Sequence, residues 1–242
     1  MVGKTTRRTA GMIGTAAAAI VFATFSAAAQ DEPQTRPDAE TACPDRPVLE
    51  DASPDREAML SFPAAWADFA DMSMYWLAVR TELGSVHCVE TTWAIDADAY
   101  ERLNERFLGF EWSGYEAGGY MLIDTAGTGS STDTGAKPVF SPEGGYMASI
   151  QFSDAGWGGL EGFAVWRTYA SGMTPVHVDT NLPTMADWRI DKWEGNGCLH
   201  LSAVPYDRVE DWRKLTEYKR DRYVSRSRDG WKLSAGEVCF AS

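Results

Sequence analysis

The chain has few of the residues that catalytic and metal sites use. It contains three histidines and four cysteines in 242 residues, so few groups are available for acid–base or metal chemistry at neutral pH. Neither a Gly-x-Ser-x-Gly nucleophile elbow nor a His-Glu-x-x-His zinc motif occurs in it. The cysteines are far apart and lack the close Cys-x-x-Cys spacing that is typical of zinc sites. We therefore expect no cofactor and no metal, and no motif identifies a reaction.

Basic residues are also scarce. The chain has 22 Lys and Arg against 35 Asp and Glu, which gives a net charge of −13. This balance disfavours nucleic acid as a partner, because the phosphate backbone attracts basic surfaces. One segment has the opposite charge balance: residues 213–232 contain eight basic and three acidic residues. We predict a basic patch formed by Arg213, Lys214, Lys219, Arg220, Arg222, Arg226, Arg228 and Lys232.

Two roles for this basic patch remain open. A basic face on an acidic exported protein can contact anionic lipid headgroups or envelope polymers. Alternatively, the segment is a solvated helix and hairpin that complements the protein's own acidic surface. The second role is the more ordinary one for a charged segment of this kind, and we favour it.

The first 29 residues have the pattern of a secretory signal peptide. Lys4, Arg7 and Arg8 form a basic start, an apolar run covers 12–25, and the alanines at 27–29 provide a small-residue cleavage site. General secretion is favoured over the twin-arginine route, because no hydrophobic pair follows the two arginines. We therefore expect an exported protein, either periplasmic or extracellular.

Cleavage of this signal would change the character of the chain. An uncleaved anchor needs about 20 apolar residues, whereas glycine, threonine and serine interrupt the run here. We expect a mature chain that begins at Gln30 and has no transmembrane span. Removal of residues 1–29 takes away three basic and no acidic residues, so the net charge falls from −13 to −16.

All four cysteines follow the predicted signal. An even number of cysteines in an exported protein predicts disulfide bonds. Several pairings are open from the sequence. We favour Cys43 with Cys88 and Cys198 with Cys239, because each pair would join residues of one sequence-local module.

Composition divides the mature chain into an arm and a domain. Residues 30–55 are rich in Pro, Asp, Glu and Thr and show no periodicity, which predicts an extended acidic arm. Residues 56–242 form the predicted single α+β domain. Its helical part is expected at 56–116 and its β-rich part at 117–242.

Several segments predict helices. Ser53–Asp55 has the residue types of a helix start. Trp66–Leu77 follows a helical period, although Met72–Val79 also fits a buried strand. A capping-box pattern and an apolar stripe predict a short helix at Ala99–Leu108. Another capped helix is expected near 208–219.

From Gly118 onward the hydrophobic period changes to two, which is typical of strands. Residues 194–197, Glu-Gly-Asn-Gly, are a strong hairpin-turn signal. The predicted strands are 120–123, 146–152, 163–169, 176–178, 188–193, 198–204, 223–225 and 231–234.

One stretch resembles a known repeat. Pro138–Ser149, with the sequence PVFSPEGGYMAS, is similar to the outer hairpin of a β-propeller blade, whose pattern is aromatic-Ser-Pro-Asp-Gly followed by an apolar strand. Ser227–Gly230 and Trp193–Gly197 repeat parts of this turn, so the resemblance covers about 139–235. Propellers need at least about four blades of about 40–50 residues, and this stretch has room for about two.

The resemblance therefore implies blade-like hairpins in a small assembly of sheets. We expect an α+β fold, mainly β, in which short N-terminal helices pack on an antiparallel meander of these hairpins. The one inserted helix near 208–219 interrupts the meander. Sheet packing of this kind would explain the aromatic-rich alternation as core.

His177 and Asp179 are the candidates for catalysis. They are two residues apart on a predicted strand, so their side chains project from one face, where the carboxylate can orient the imidazole. The same pair could hold a metal, but no third ligand can be identified from the sequence.

Three tryptophans are candidates for ligand binding, because exposed indoles near Gly-rich turns can stack on the faces of sugars. The alternative for each indole is packing in the core. These candidates are Trp112, Trp157 and Trp193.

Two hypotheses for the function follow. The first is an exported, non-enzymatic protein that binds an envelope protein or polymer; one specific form is an inhibitor of a cationic hydrolase. The second is an exported hydrolase whose active site no motif reveals; one specific form acts on glycans. A glycosidase needs two carboxylates at a set separation, and the sequence alone does not select such a pair.

Overall fold

The computed structural model describes residues 36–45, 62–91, 96–114, 116–152, 156, 158–228, 230–234 and 239. All of them belong to one compact unit, residues 34–242. Four antiparallel sheets follow one another along this part of the chain. None of the helices in the described residues is long and apolar enough to cross a membrane.

Sheets 1 and 2 come from the first half of the chain, and their strands neighbour one another in sequence order. Sheet 1 consists of β1 (Ala70–Met72), β2 (Trp76–Arg80) and β3 (Val86–Glu90). Sheet 2 consists of β4 (Asp96–Arg102), β5 (Phe107–Gly114), β6 (Ala117–Asp124) and β7 (Ser130–Asp133).

Sheets 3 and 4 have the same meander order. Sheet 3 consists of β8 (Val139–Phe140), β9 (Tyr146–Gln151), β10 (Gly162–Tyr169) and β11 (Gly172–Asp179). Sheet 4 consists of β12 (Ala186–Trp193), β13 (Cys198–Val204), β14 (Arg220–Ser227) and β15 (Gly230–Ser234). Gly195 makes the β12–β13 turn at φ +67°, where a side chain would be strained.

The helical elements are short. In the described residues they are the α-helix α1 (Ala39–Ala42) and three 3₁₀ segments, Ala64–Trp66, Tyr206–Arg208 and Trp212–Tyr218. Asp38 caps α1 by accepting a hydrogen bond from the backbone N–H of Glu40. The structure is therefore mainly β, as expected from the sequence.

The sheets pack face to face in chain order because strand alternation sends side chains to both faces of sheet 2. Phe110 of β5 and Ile123 of β6 pack against sheet 1 in one buried cluster. Phe107 of β5 and Leu122 of β6 point the other way and pack against sheet 3. Neighbouring residues of these strands are thus buried on opposite sides, which explains their nearly continuous apolar character.

Sheet 3 repeats this arrangement. Met147 and Trp166 pack against sheet 2, whereas Ile150, Phe163 and Val165 join a cluster with sheet 4. An ion pair adds a polar tie between sheets 2 and 3. The fully buried carboxylate of Asp124 accepts two hydrogen bonds from Arg106, whose remaining Nη1 donates to the Tyr169 carbonyl over 2.6 Å.

The structure contains both favoured disulfides, Cys43–Cys88 and Cys198–Cys239. The first attaches the described part of the predicted extended arm, which includes α1, to β3 of sheet 1. Ala39 of α1 is buried against Ala78 of β2, in a small cluster that also contains Cys43.

The predicted helix at Ala99–Leu108 is wrong, because this segment belongs to β4, a turn and β5. The expected apolar stripe is divided between two cores: Tyr100 packs with Phe110 on the sheet 1 side, and Phe107 packs with Phe140 on the sheet 3 side. Pairing between the strands and burial on both faces outweigh the local helical preference.

Trp66–Leu77 is also not a helix. It contains the 3₁₀ turn Ala64–Trp66, β1 and the start of β2, so the strand alternative for Met72–Val79 was the better one. The expected packing of N-terminal helices on the meander is therefore replaced here by sheet 1. The proposed helix start at Ser53–Asp55 lies outside the described residues.

The expected interruption near 208–219 is present between β13 and β14, but it consists of 3₁₀ segments rather than one α-helix. Asp211 caps the second segment by accepting a hydrogen bond from the Arg213 N–H over 3.0 Å. The predicted strands after Gly118 are confirmed, including the hairpin turn at residues 194–197.

Candidate functional site

A cavity of about 330 Å³ lies between sheets 3 and 4. We call it the Asp187 cleft. Its walls come from the end of β9, the start of β12 and the 3₁₀ turn after β13. The lining residues are Ile150, Gln151, Phe152, Met185, Ala186, Asp187, Trp188 and Tyr206.

Asp187 has an unusual backbone conformation. Its φ is +49°, in the left-handed region, and the register of β12 against β13 shifts between Ala186 and Arg189. A bulge of this kind redirects side chains. Non-glycine residues adopt positive φ at a cost in free energy, and such residues collect at functional sites.

The carboxylate of Asp187 is only half satisfied by the protein. Its Oδ1 accepts a hydrogen bond from the Nε of Arg189 over 2.7 Å. Its Oδ2 is shielded from solvent and has no hydrogen-bond donor among the residues that the structure describes. A buried acceptor without a donor costs about 1–3 kcal/mol, so this oxygen needs an explanation beyond the fold itself.

Three aromatic residues line the same cleft as this carboxylate. Phe152 is 43% exposed and Tyr206 is 47% exposed, values that are high for such large side chains. Trp188 is half-buried, and its indole Nε1 donates to the carbonyl of Pro183 over 3.3 Å. The cleft therefore offers aromatic side chains beside a carboxylate, whereas the amide of Gln151 is already bonded to Gly118 and Leu160.

A second cavity, of about 470 Å³, lies between sheets 2 and 3. We call it the Glu101 cleft; its lining residues are Glu101, Arg102, Leu103, Lys137, Pro138, Val139 and Phe140. The Tyr120 hydroxyl donates to Glu101 Oε1 over 2.8 Å, and Lys137 Nζ is 2.5 Å from Oε2. Burial raises the pKa of Tyr120 well above its usual range, and the bond to Glu101 raises it further.

His177 and Asp179 do project from the same face of β11, where both are half-buried. His177 packs near the Phe163 ring, and burial lowers the pKa of its imidazole while the charge of Asp179 opposes this. Asp179 Oδ1 accepts the N–H of Asn181 over 2.9 Å, which forms a local turn. Neither residue lines either cleft described above.

The candidate tryptophans lie in different surroundings. Trp193 is 9% exposed, and its Nε1 donates to the Val139 carbonyl over 2.9 Å. Trp112 is half-buried on β5 and lies at the Asp133 carboxylate, whose pKa burial raises and hydrogen bonds from Gly135 and Trp112 partly lower. Trp157 lies outside the described residues. The structure therefore does not bring Trp112 and Trp193 into the Asp187 cleft.

The basic patch is spread over several surroundings. Lys219 Nζ lies 4.0 Å from Asp191, and Arg222 Nη2 lies 3.9 Å from the sulfur of Met185. Arg226 contacts the Tyr146 ring. The remaining members of the patch are exposed: Arg213, Lys214, Arg220, Arg228 and Lys232.

Within the part of the chain that the structure describes, one group of potential metal ligands comes together. Glu194, Cys198 and Cys239 have their ligand atoms within 4.8 Å of one another. The two cysteines are joined in a disulfide, so they offer no thiolate to a metal. This group is therefore explained by the disulfide.

The residues of the Asp187 cleft were not among the sequence candidates. Positive φ and a bulge depend on how β12 pairs with β13, and no local pattern marks them. In the sequence, Asp187 and Trp188 are neighbours that follow Pro183. This combination is too ordinary to predict a binding site. Comparison of the chain with known protein families, with curated proteins and with solved structures gives no match in any of the three.

Proposed function

We propose that this protein is exported and binds a glycan of the cell envelope in the Asp187 cleft without hydrolysing it. The observation that carries the proposal is the Asp187 carboxylate, held at positive φ with one oxygen that lacks a donor. A sugar has the matching chemistry. Its hydroxyls donate hydrogen bonds to carboxylates, and the apolar face of its ring packs on aromatic side chains such as Trp188 and Phe152.

The composition of the cleft favours binding over hydrolysis. Glycosidases of the common kind place two carboxylates on either side of the scissile bond. Among the described residues that line the cleft, Asp187 supplies the single carboxylate. His177 and Asp179, on which the hydrolase hypothesis is based, line neither of the two clefts described above, so we regard binding as the better proposal.

Export and a blade-like organisation belong to the same proposal. Two disulfides are compatible with an oxidising compartment. Sheets 3 and 4, which cover the stretch that resembles a propeller repeat, are each a four-stranded meander in chain order, and this supports blade-like units there. In a ring of blades sheet 4 would also contact sheet 1, and a crystal structure of the mature chain would test this.

Calorimetric titration of the mature protein with chitotetraose, cellotetraose and maltotetraose tests glycan binding. We expect saturable binding of at least one of them. Asp187→Asn and Phe152→Ala should each weaken binding about tenfold, because each removes a direct polar or stacking contact. A failure of all three saccharides to bind would contradict the proposal.

Tyr169→Ala is the matched control. Tyr169 is 43% exposed, like Phe152, but it lies at the end of β10 and does not line the cleft. This variant should bind as tightly as the unaltered protein. Equal losses in Tyr169→Ala and Phe152→Ala would assign the binding to another surface.

A turnover assay separates binding from hydrolysis. We expect no new reducing ends when the protein is incubated with the saccharide that it binds. Release of reducing ends that His177→Ala abolishes would favour the hydrolase instead.

A further inference from the structure

Two arginines meet on one tyrosine where sheets 3 and 4 adjoin. Arg167 of β10 is the cross-strand partner of Tyr146 on β9, and its guanidinium carbon lies 5.9 Å from the centre of the Tyr146 ring. The guanidinium carbon of Arg226, on β14, lies 5.3 Å from the same centre. The Nη1 of Arg226 also donates to the Tyr146 hydroxyl over 2.5 Å. We call these three residues the arginine platform.

The Tyr146 ring is held in place by the core beneath it. Trp231 meets it edge-on with ring centres 5.6 Å apart, and Trp193 lies 6.5 Å away. Both tryptophans are buried, and they pack edge-to-face against each other at 5.8 Å. A ligand would therefore find the central ring of the platform already in position, which reduces the entropy lost on binding.

Among the described residues, no carboxylate serves as a counter-ion for either guanidinium group. Both arginines are exposed, and neither lies within ion-pair distance of a carboxylate in the described residues. Carboxylates are not scarce, since the chain has 35 acidic against 22 basic residues. Two like charges on one ring repel each other, so a bound anion would relieve an unfavourable interaction.

The approach to the platform is open. The hairpin turns before β9 and between β12 and β13 border it, and the backbone N–H of Glu143 in the first turn donates to Asn196 in the second. A side chain added at any of four glycines in these turns would meet no atom within 4 Å: Gly144, Gly145, Gly195 and Gly197.

We propose that the arginine platform binds an oxyanion, either a carboxylate or a phosphate group. The planar guanidinium presents several N–H donors in a geometry that matches both anions. The Tyr146 hydroxyl accepts from Arg226 and can donate its own proton to the same anion. This site is separate from the Asp187 cleft and does not depend on glycan binding there.

Calorimetric titration of the mature protein with inorganic phosphate and with glucuronate tests the proposal. We expect saturable binding of at least one anion, weakened by added salt because charge interactions at the surface are screened. Arg167→Gln and Arg226→Gln should each weaken binding about tenfold. Tighter phosphate binding would indicate a phosphate-bearing ligand, and tighter glucuronate binding an acidic sugar.

Arg228→Gln is the control, because it removes the same charge from an exposed residue two positions along the chain from Arg226. It should bind both anions like the unaltered protein. Arg167→Gln keeps the Arg226–Tyr146 hydrogen bond, so it remains informative if Arg226→Gln fails to fold. The proposal is wrong if neither anion binds saturably, or if both anions bind equally well after Arg167→Gln.

Discussion

A single carboxylate residue lines each of the two clefts, but the two carboxylates differ in their hydrogen bonds. In the Glu101 cleft both oxygens of Glu101 have donors, from Tyr120 at 2.8 Å and from Lys137 at 2.5 Å. In the Asp187 cleft one oxygen of Asp187 has a donor and the other has none. The first carboxylate completes a network within the fold, whereas the second leaves bonding capacity for a ligand.

The backbone at Glu101 also differs from the backbone at Asp187. Glu101 lies in β4 opposite Gly109 of β5, and a side chain at Gly109 would collide with the Tyr120 ring. Glycine at position 109 therefore leaves the space that the Tyr120 ring occupies when its hydroxyl donates to Glu101. Asp187 instead sits in a bulge at positive φ. These contrasts support a stabilising role for the Glu101 cleft, and they agree with the proposed binding role of the Asp187 cleft, where some stability would be given up for binding.

Glu101→Ala should give the largest loss of stability. It leaves the hydroxyl of Tyr120, a residue that is 1% exposed, as a buried donor without an acceptor. We expect the free energy of unfolding in urea to fall by about 2 kcal/mol. Lys137 adds little to this value, because its side chain is half exposed to solvent.

Two variants serve as controls for this loss. Glu101→Gln keeps an oxygen that accepts from Tyr120 and should lose less stability than Glu101→Ala. Glu105→Ala removes an exposed carboxylate from the turn after β4 and should change stability little. If Glu105→Ala and Glu101→Ala cost the same, the network in the Glu101 cleft does not stabilise the fold.

The pH dependence of stability gives the next largest effect. The unfolded chain loses the Tyr120 proton near pH 10, whereas burial and Glu101 raise the pKa of Tyr120 in the folded protein. The folded state therefore holds one more proton above pH 10, and its stability falls as the pH rises, by about 1.4 kcal/mol per pH unit.

Tyr120→Phe should reduce this slope in urea unfolding measured between about pH 9 and 11. Tyr169→Phe, at an exposed tyrosine, should leave the slope unchanged. Identical slopes for the two variants would show that Tyr120 titrates normally in the folded protein.

Asp187→Gly should give the smallest change in stability, and in the opposite direction. Glycine adopts positive φ without strain, and the substitution also removes the oxygen that lacks a donor. We expect a gain of about 1 kcal/mol together with a loss of glycan binding. The measurement is urea unfolding combined with calorimetric titration.

Asp191→Gly on the same strand is the comparison for this gain. Asp191 accepts a hydrogen bond from the Ser202 hydroxyl over 3.0 Å, so its loss should destabilise the protein. A stability loss of the same size in Asp187→Gly would mean that Asp187 is an ordinary strand residue.

The β-rich part of the fold could be predicted because its strands alternate and its turns contain glycine. Residues 194–197 and the strands on either side of them illustrate this. Ala99–Leu108 could not be predicted correctly, because its apolar residues fit a helical stripe and also fit two faces of a doubly packed sheet. Long-range pairing decided between them.

The candidate site was harder to predict than the fold. The tryptophans chosen for their nearness to glycine turns include Trp193, which proved to be buried. Asp187, Trp188 and Tyr206 line one cleft because β12 pairs with β13, which places Ala186 opposite Val204, just before the turn that carries Tyr206. A residue's donors and its φ are set by those contacts, so composition and spacing carry no record of them.

The most direct test of the account is to follow the indole N–H signals by NMR while a bound tetrasaccharide is added. The account predicts that the Trp188 signal, assigned by its absence in Trp188→Phe, shifts with the same saturation curve as calorimetric binding. The buried Trp193 signal should stay in place. Saturable binding that leaves the Trp188 signal unchanged would contradict the assignment of the glycan to the Asp187 cleft.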